Sequence, residues 1–527
     1  STISHHQLPL QDYLVPGTEE RCTTGNCSFD RSRSHKIHSS CTMKDDDERP
    51  VWMPALWSAM SVNIPGTLPV QAEVEQDVVD SLMASELNSL SLNERMKHVE
   101  QLHCIVDDIA EETPQQNAST IEEMQHELSL ISGKTAYDRA LQLNREYVED
   151  TKFRLMFLRA DRFNPKKAAE RLVLFMEKKR QFFGEDSMVR GITLNDMTPD
   201  DLAAIKAGFM QTLPIRDRAG RLVVIDTHMV GPKSYKSDMS VLRGYFYHIL
   251  SALEDEDSQK YGLVNVMYYL GAVRMHEKRE SSFATEMALS DRWLPFRSAG
   301  IHMCCFHSSK ALQLVFRALS ILTVPEKRVV IRIHKGTHTE VQYLLMTFGI
   351  PSDVIPISSE GEIKTTAHKK WIASRRRKEQ NITLYGHNFG RIDFPTNKDV
   401  LLGKGRPIQK HVGNIYLRNL VSSLTESYMN ADLKSSKASL MWKVVSDIKA
   451  NGGRFLCKDK EDCWIQASDK EARDKVGKLF MTSQAQYKAT GVSQSTRTRI
   501  VGEVDDMGML QEQVSKRQRI CFHICGS

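Results

Sequence analysis

Four short apolar runs, each followed by an amphipathic stretch, occupy the middle of this chain. Leu222-Val223-Val224-Ile225, then residues 263–270, 301–306 and 329–333, are apolar at nearly every position. Runs of that kind suit strands covered on both faces. Between them, Val241, Leu242, Tyr245, Phe246, Ile249 and Leu253 fall at helical spacing, as do Phe283, Met287 and Trp293. Leu312, Val315, Phe316, Leu319 and Leu322 make a third such set. A fourth helical stretch follows the last run. Strands alternating with helices of this length predict crossover units and a largely parallel sheet. Asp217-Arg218-Ala219-Gly220 is the turn ahead of the first strand.

Helical patterns precede the sheet. Ser91-Leu92-Asn93-Glu94 has the form of a capping box. Met96, Val99, Leu102, Ile105, Val106 and Ile109 follow on one face, and Thr113-Pro114 is expected to end that helix. A helical hairpin comes next. Its first arm carries Leu155, Phe157 and Leu158. Its second arm starts at Asn164-Pro165, carries Ala168, Leu172, Phe175, Met176 and Phe183, and stops at Gly184.

After the sheet, Lys369-Lys370-Trp371 and Arg375-Arg376-Arg377-Lys378 form a basic stretch, read here as a linker. A second folded unit begins near Phe394-Pro395-Thr396. Its pattern is helix (417–429), helix (440–450), hairpin and helix (471–480). The hairpin runs from Gly452-Gly453-Arg454-Phe455-Leu456 to Cys463-Trp464-Ile465.

Composition narrows the class. Of 527 residues, 41% are hydrophobic, which leaves long polar stretches at both ends outside any core. No apolar run reaches the roughly 18 residues that span a bilayer, and the visible N-terminus has no signal-peptide core. Ten cysteines scattered along the chain fit reduced thiols and a cytoplasmic setting. Cys22, Cys27, His35, His38 and Cys41 cluster loosely, but their spacing matches no compact zinc finger. The net charge of +5 is mild. It permits attraction to an anionic surface without marking a nucleic-acid binder.

The hairpin string Phe157-Leu158-Arg159-Ala160-Asp161-Arg162-Phe163-Asn164-Pro165-Lys166-Lys167-Ala168-Ala169, with the order of elements over about residues 137–357, resembles the CRAL-TRIO proteins. The resemblance implies a lipid pocket over the sheet, transfer or presentation of a lipid, and no catalysis or cofactor. It places a mobile gate helix on residues 308–322. The pocket and gate residues would then be Leu312, Val315, Phe316, Leu319, Leu322, Val266 and Tyr268, with the headgroup near Lys327 or Arg328. A gap between sheet and gate suits an acyl chain, since each buried CH₂ contributes about 0.8 kcal/mol. Two departures bear on the cargo. Phe306-His307-Ser308 stands where members often carry Asn-Ala-Pro, and Phe296 stands where inositide binders carry Glu. That argues against a phosphoinositide and leaves a neutral lipid, a sterol-like molecule or another phospholipid.

Farther on, Asp399–Pro407, His411-Val412-Gly413-Asn414 and Gly452–Leu456 resemble a domain of unknown function common in diatom proteins, over about 395–480. Residues 391–482 hold 17 Lys or Arg against 11 Asp or Glu. That surplus permits a nucleic-acid contact or a protein-interaction face.

The expected architecture is therefore an α/β CRAL-TRIO-like domain with an N-terminal helical hairpin, a small α+β C-terminal domain and disordered tails. Its segments are a disordered region (1–85), a helical segment ending in the hairpin (86–185), a lipid-binding domain (186–360), a basic linker (361–392), the small domain (393–483) and a tail (484–527). The expected function is intracellular lipid binding or transfer, with peripheral contact to an anionic membrane. The alternative is a regulatory protein, with a nuclear setting, whose C-terminal domain binds DNA or a partner while the lipid domain senses. An enzyme is disfavoured. Cys27 with Arg33 is the one Cys-x5-Arg spacing, and it falls in the polar N-terminal stretch outside any strand-and-helix unit; there is no Gly-x-Ser-x-Gly elbow and no Gly-x4-Gly-Lys-Ser/Thr loop. Leu402-Gly403-Lys404-Gly405-Arg406-Pro407 is Gly-rich but follows no clear strand-before-helix unit, and is read as a tight turn. His302, Cys304, Cys305 and His307 are read as core packing rather than metal ligands, because alternation along a strand divides them between faces. Cargo identity, the target membrane and the oligomeric state stay open.

Overall fold

The computed structural model describes residues 81, 84–85, 88–104, 112–231, 233–271, 273, 281–310, 312–313, 329–385 and 390–490. The Cys/His cluster at 22–41 and the two polar ends lie outside them. So do Ile105, Val106 and Ile109. Among the described residues the architecture is mixed α/β, with sixteen α-helices and two sheets.

The N-terminal layer is helical. α1 (Leu92–Leu102) begins at the Ser91/Glu94 capping box, where the Ser91 amide donates to Glu94 Oε2 at 2.8 Å. Thr113-Pro114 opens a helix instead of ending one. Thr113 caps α2 (Pro114–Leu130) by accepting from the Gln116 amide at 3.2 Å, and Pro114 takes the first helical position. Proline fits there because its missing N–H would have no partner in the first turn. α3 (Thr135–Leu143) and α4 (Arg145–Glu149) lead into the hairpin of α5 (Thr151–Ala160) and α6 (Pro165–Phe183). Asn164 caps α6 through the Lys167 amide at 3.0 Å, and Gly184, at φ 81°, terminates it.

The hairpin string has a physical role residue by residue. Phe157, Leu158, Leu172 and Phe175 are buried, and Phe175 stacks on Phe246 at 5.5 Å. Arg159 is buried and meets Glu112, Glu256 and Gln259. Asp161 holds Arg171 in a two-point pair (2.6 and 2.7 Å), and Arg171 also donates to the Leu294 carbonyl at 2.8 Å. These charges thus rivet the hairpin to the sheet domain. Buried charges are tolerated there because each is paired and hydrogen-bonded.

After α7 (Pro199–Ala207) comes the main sheet: β1 (Met210–Thr212), β2 (Leu222–Asp226), β3 (Leu263–Tyr269), β4 (Ser298–Cys305) and β5 (Ile331–Lys335), side by side in chain order. β1 runs antiparallel at the edge and the other four are parallel. α8 (Met239–Leu253) and α9 (Glu256–Tyr261) connect β2 to β3, and α10 (Ser281–Trp293) connects β3 to β4. They join the hairpin in one core with Leu222, Val224 and Leu263. α11 (His338–Thr347) follows β5 and packs on the opposite face, with Leu102 of α1, against Val223, Ile225, Val264, Val266, Tyr268 and Cys304.

The stretch read as a basic linker is the 20-residue helix α12 (Thr366–Tyr385). It leads to the C-terminal unit. That unit holds β6 (Val400–Leu401), α13 (Arg406–Lys410), α14 (Val412–Met429), α15 (Lys434–Ala450), β7 (Phe455–Lys458), β8 (Trp464–Gln466) and α16 (Asp469–Thr490). β7 lies between a parallel β6 and an antiparallel β8. Val400, Leu417, Val421, Val444, Ile448, Phe455, Val476 and Phe480 form a separate core. No described helix is long and apolar enough to cross a membrane.

Candidate functional site

Side chains alternate across a strand, so register assigns each sheet residue a face. On the face of α8 and α10, one row reads Val224, Asn265, Ile301, Ile331, and the next reads Asp226, Met267, Met303, Ile333. Ile301, Met303 and Ile331 are buried, but Asn265 and Met267 are only half-buried, as is Ile333. β3 is the middle strand of five. Asn265, Met267 and Ile333 therefore form a partly covered floor on this face among the described residues. Methionine and isoleucine are the adaptable lining that apolar ligands meet.

A polar group borders this floor at the carboxyl ends of β2 and β3, the end at which open α/β sheets take ligands. The Asp226 carboxylate accepts from the His228 amide at 2.8 Å, lies 2.6 Å from His228 Nδ1 and accepts from the Tyr269 hydroxyl at 3.0 Å. Burial pushes the Asp226 carboxyl up, but the His228 charge and these hydrogen bonds outweigh it and hold the group below its usual range. Nearby, burial pushes the Cys305 thiol up to about 11. A thiol held neutral is a poor nucleophile.

The predicted residues fall in several places. Val266 and Tyr268 share the other face, buried under α11, where Tyr268 Oη lies 2.9 Å from His338 Nδ1. Leu312 is buried. Val315, Phe316, Leu319, Leu322, Lys327 and Arg328 lie outside the described residues. His302 and Cys304 lie on the α11 face and Cys305 on the other. His302 Nδ1 is 2.8 Å from His334 Nε2, and both rings pack on Phe348. Burial drives His302 well below its ordinary value and His334 down to about 4.

The basic stretch 369–378 is not a free cationic surface. Arg375 is buried and bonds Glu254 (two contacts of 2.7 Å), Asp393 (3.1 Å) and Glu379 (3.1 Å), while Lys378 bonds Glu254 and Asp393. Burial acts to raise Glu254, but Arg375 and then Lys378 bring it down to about 2. Arg377 pairs with Glu461, and Lys370 with Asp462.

Asp459, Glu461 and Cys463 could surround a metal ion, each offering an atom within 4.8 Å of the others. Arg391 already reaches Asp459 (3.2 Å) and Glu461 (2.6 Å), so a guanidinium occupies the carboxylates. Residues missed by sequence reasoning are Asp226, His228 and Tyr269. The available signal was a carboxylate and an imidazole immediately after the apolar run 222–225.

The structure corrects one reading of the C-terminal unit. Gly403-Lys404-Gly405 does follow a strand and precede a helix, with φ of 140° at Gly403 and 111° at Gly405. The backbone angle at Gly403 favours glycine, whereas a Cβ there would meet only the movable tip of Ile408, at 2.7 Å.

No curated protein matches the chain. No CRAL-TRIO family match is found for the hairpin or the main sheet. Residues 399–482 match the family described as a domain of unknown function, DUF6824.

Proposed function

We propose that the chain binds a lipid over the face of the main sheet that carries Asn265, Met267, Met303 and Ile333, and transfers or presents it. The observation that carries this reading is the half-buried pair Asn265 and Met267 on the middle strand, where a fully covered sheet would bury both. The resemblance of the hairpin and of the element order to CRAL-TRIO proteins supports it. Connections between parallel neighbours in a sheet are right-handed in nearly all folds. The link from β4 to β5, with Leu312, Val315, Phe316, Leu319 and Leu322, is therefore the proposed cover on the α8 and α10 side. Asp226, His228 and Tyr269 would meet the polar end of the ligand. An ionised carboxylate there repels a phosphate and suits a hydroxyl or amine, in keeping with Phe296 in place of an inositide-binding Glu.

The test is native mass spectrometry of the full chain after incubation with vesicles of phosphatidylcholine and sterol. One retained lipid per chain is expected. Met267→Trp fills the floor and should lower retention about tenfold or more, the cost of overpacking a fitted site. Bare protein from both chains would end the proposal.

A further inference from the structure

One stretch of the C-terminal unit gathers exposed cations with no acid among them. From Val400 to Thr425 there is no Asp or Glu, while Lys404, Arg406, Lys410 and Arg418 occur within that stretch. Over 398–450 there are nine Lys or Arg against four Asp or Glu, and over 451–482 seven against six, so the surplus belongs to the first half of the unit. Lys404, Arg406 and Lys410 are exposed and form no ion pair with any described residue. The one carboxylate beside them in sequence, Asp399, is buried and bound by Arg454.

An apolar patch follows these cations directly in the chain. Val412, Ile415 and Tyr416, in the first turns of α14, are 47%, 40% and 46% exposed. Tyr416 Oη accepts from Asn451 Nδ2 at 3.1 Å, which holds the ring at the surface. Aliphatic side chains left in water beside unpaired cations match neither partner class completely, except one. We propose that this α13–α14 surface of the C-terminal unit docks on an anionic lipid bilayer. Lys404, Arg406 and Lys410 face acidic headgroups, Val412 and Ile415 enter the acyl boundary, and Tyr416 sits at headgroup depth, where aromatic rings with a polar tip collect. A nucleic-acid backbone would use the cations but leave Val412 and Ile415 without a role. A second copy on the same patch would bring like charges together, because a two-fold interface apposes a surface with itself. The inference does not depend on the cargo: a chain can dock without holding a lipid, or hold one without docking here.

Co-sedimentation of the full chain with two kinds of vesicle tests it. One is pure phosphatidylcholine, the other contains about a third phosphatidylserine, enough to set up the surface potential that attracts basic segments. Binding to the anionic vesicles alone is expected. Lys404→Gln, Arg406→Gln and Lys410→Gln together should weaken it on the order of a hundredfold, about fivefold per charge. Val412→Ser with Ile415→Ser should abolish the part that survives high salt. All five residues are exposed, and unchanged melting would show the variants folded. If either variant fails to fold, Val412→Trp supplies a second readout: quenching of the added fluorescence by brominated acyl chains supports insertion, and unquenched fluorescence overturns it. Equal vesicle binding by wild type and both variants overturns the proposal. So does tighter binding of an oligonucleotide that the charge variant loses and the serine variant keeps. Retention of a lipid by a chain that ignores vesicles would overturn docking and leave the cargo reading intact.

Discussion

Lys179 lies on the apolar stripe of α6, four residues after Phe175 and seven after Leu172, and is completely buried. Its ammonium donates to the Arg190 carbonyl at 2.6 Å and to the Met188 carbonyl and Tyr147 Oη at longer range, and it faces the Tyr147 and Phe175 rings. Burial, reinforced by the charge of Arg190, lowers its pKa to about 7. In the unfolded chain the amine keeps its ordinary value of about 10.4. Between those values the unfolded chain carries one more proton, so rising pH favours the folded state. Lys179→Met removes this titration. The stability of wild type relative to the variant should climb by roughly 1 kcal/mol per pH unit above about pH 7. Urea denaturation at several pH values measures this, and a difference that stays level with pH would refute it. The helical spacing alone places residue 179 in the core. The run Glu177-Lys178-Lys179-Arg180 hides it, because residue type there suggests a solvated face. The same tension marks the site. Residues 263–270 are apolar in sequence apart from Asn265, so one amide is all that separates the face of Val266 and Tyr268, under α11, from the face of Met267, on the side of α8 and α10.

Among the elements, long apolar runs and capped helices were legible and short or dual-purpose signals were not. β2 to β5, the hairpin and the helices α14, α15 and α16 correspond to patterns in the chain, whereas the five-residue α13 does not. β1 has three residues, and its Gln211 is buried only because its side chain donates to the Gly208 and Lys364 carbonyls. Those partners are invisible in a local window. Thr113-Pro114 fits either end of a helix, since proline is accepted in the first turn and also follows the last. α12 was misread because its compensating carboxylates, Glu254 and Asp393, are far away in sequence. Its ring of packing, with Trp371 stacked on His248 at 4.4 Å, also comes from a distant helix. Arg375→Met is the decisive substitution for this element. It leaves the buried Glu379 and Asp393 short of a partner, beside a Glu254 that water reaches, and removing one member of a buried charge set costs about 3–5 kcal/mol. A urea midpoint lowered by that amount is expected. An unchanged midpoint would show that Lys378 alone satisfies the three carboxylates.

At the scale of the whole molecule, the C-terminal unit has its own core, yet its first residues are fastened to the main sheet by buried polar contacts. The Arg216 guanidinium, 1% exposed, donates to the Pro395 carbonyl at 3.1 Å, the Phe394 carbonyl at 3.4 Å and Asp255 at 2.6 Å. Asn397 Nδ2 donates to the Asp217 carbonyl at 2.8 Å. The outer pairs, Lys370 with Asp462 and Arg377 with Glu461, are partly exposed and contribute little, as surface ion pairs usually do. Coupling between the two units therefore rests on the buried donors. Arg216→Leu would strip three carbonyls (Gly220, Phe394 and Pro395) and a carboxylate of this partner while leaving both hydrophobic cores untouched. Unpaired buried acceptors cost about 1–3 kcal/mol each, and here that cost falls on the junction. Calorimetry of the wild-type chain should show the two units melting together, whereas the variant should show the unit around Val400, Val421 and Phe480 melting first, as a separate transition. A single, unshifted transition in Arg216→Leu would mean that the helix α12, through Arg375 and Lys378, carries the coupling by itself. If the junction holds as described, a unit docked on a bilayer through α13 and α14 would keep the main sheet at a fixed distance and angle from that surface.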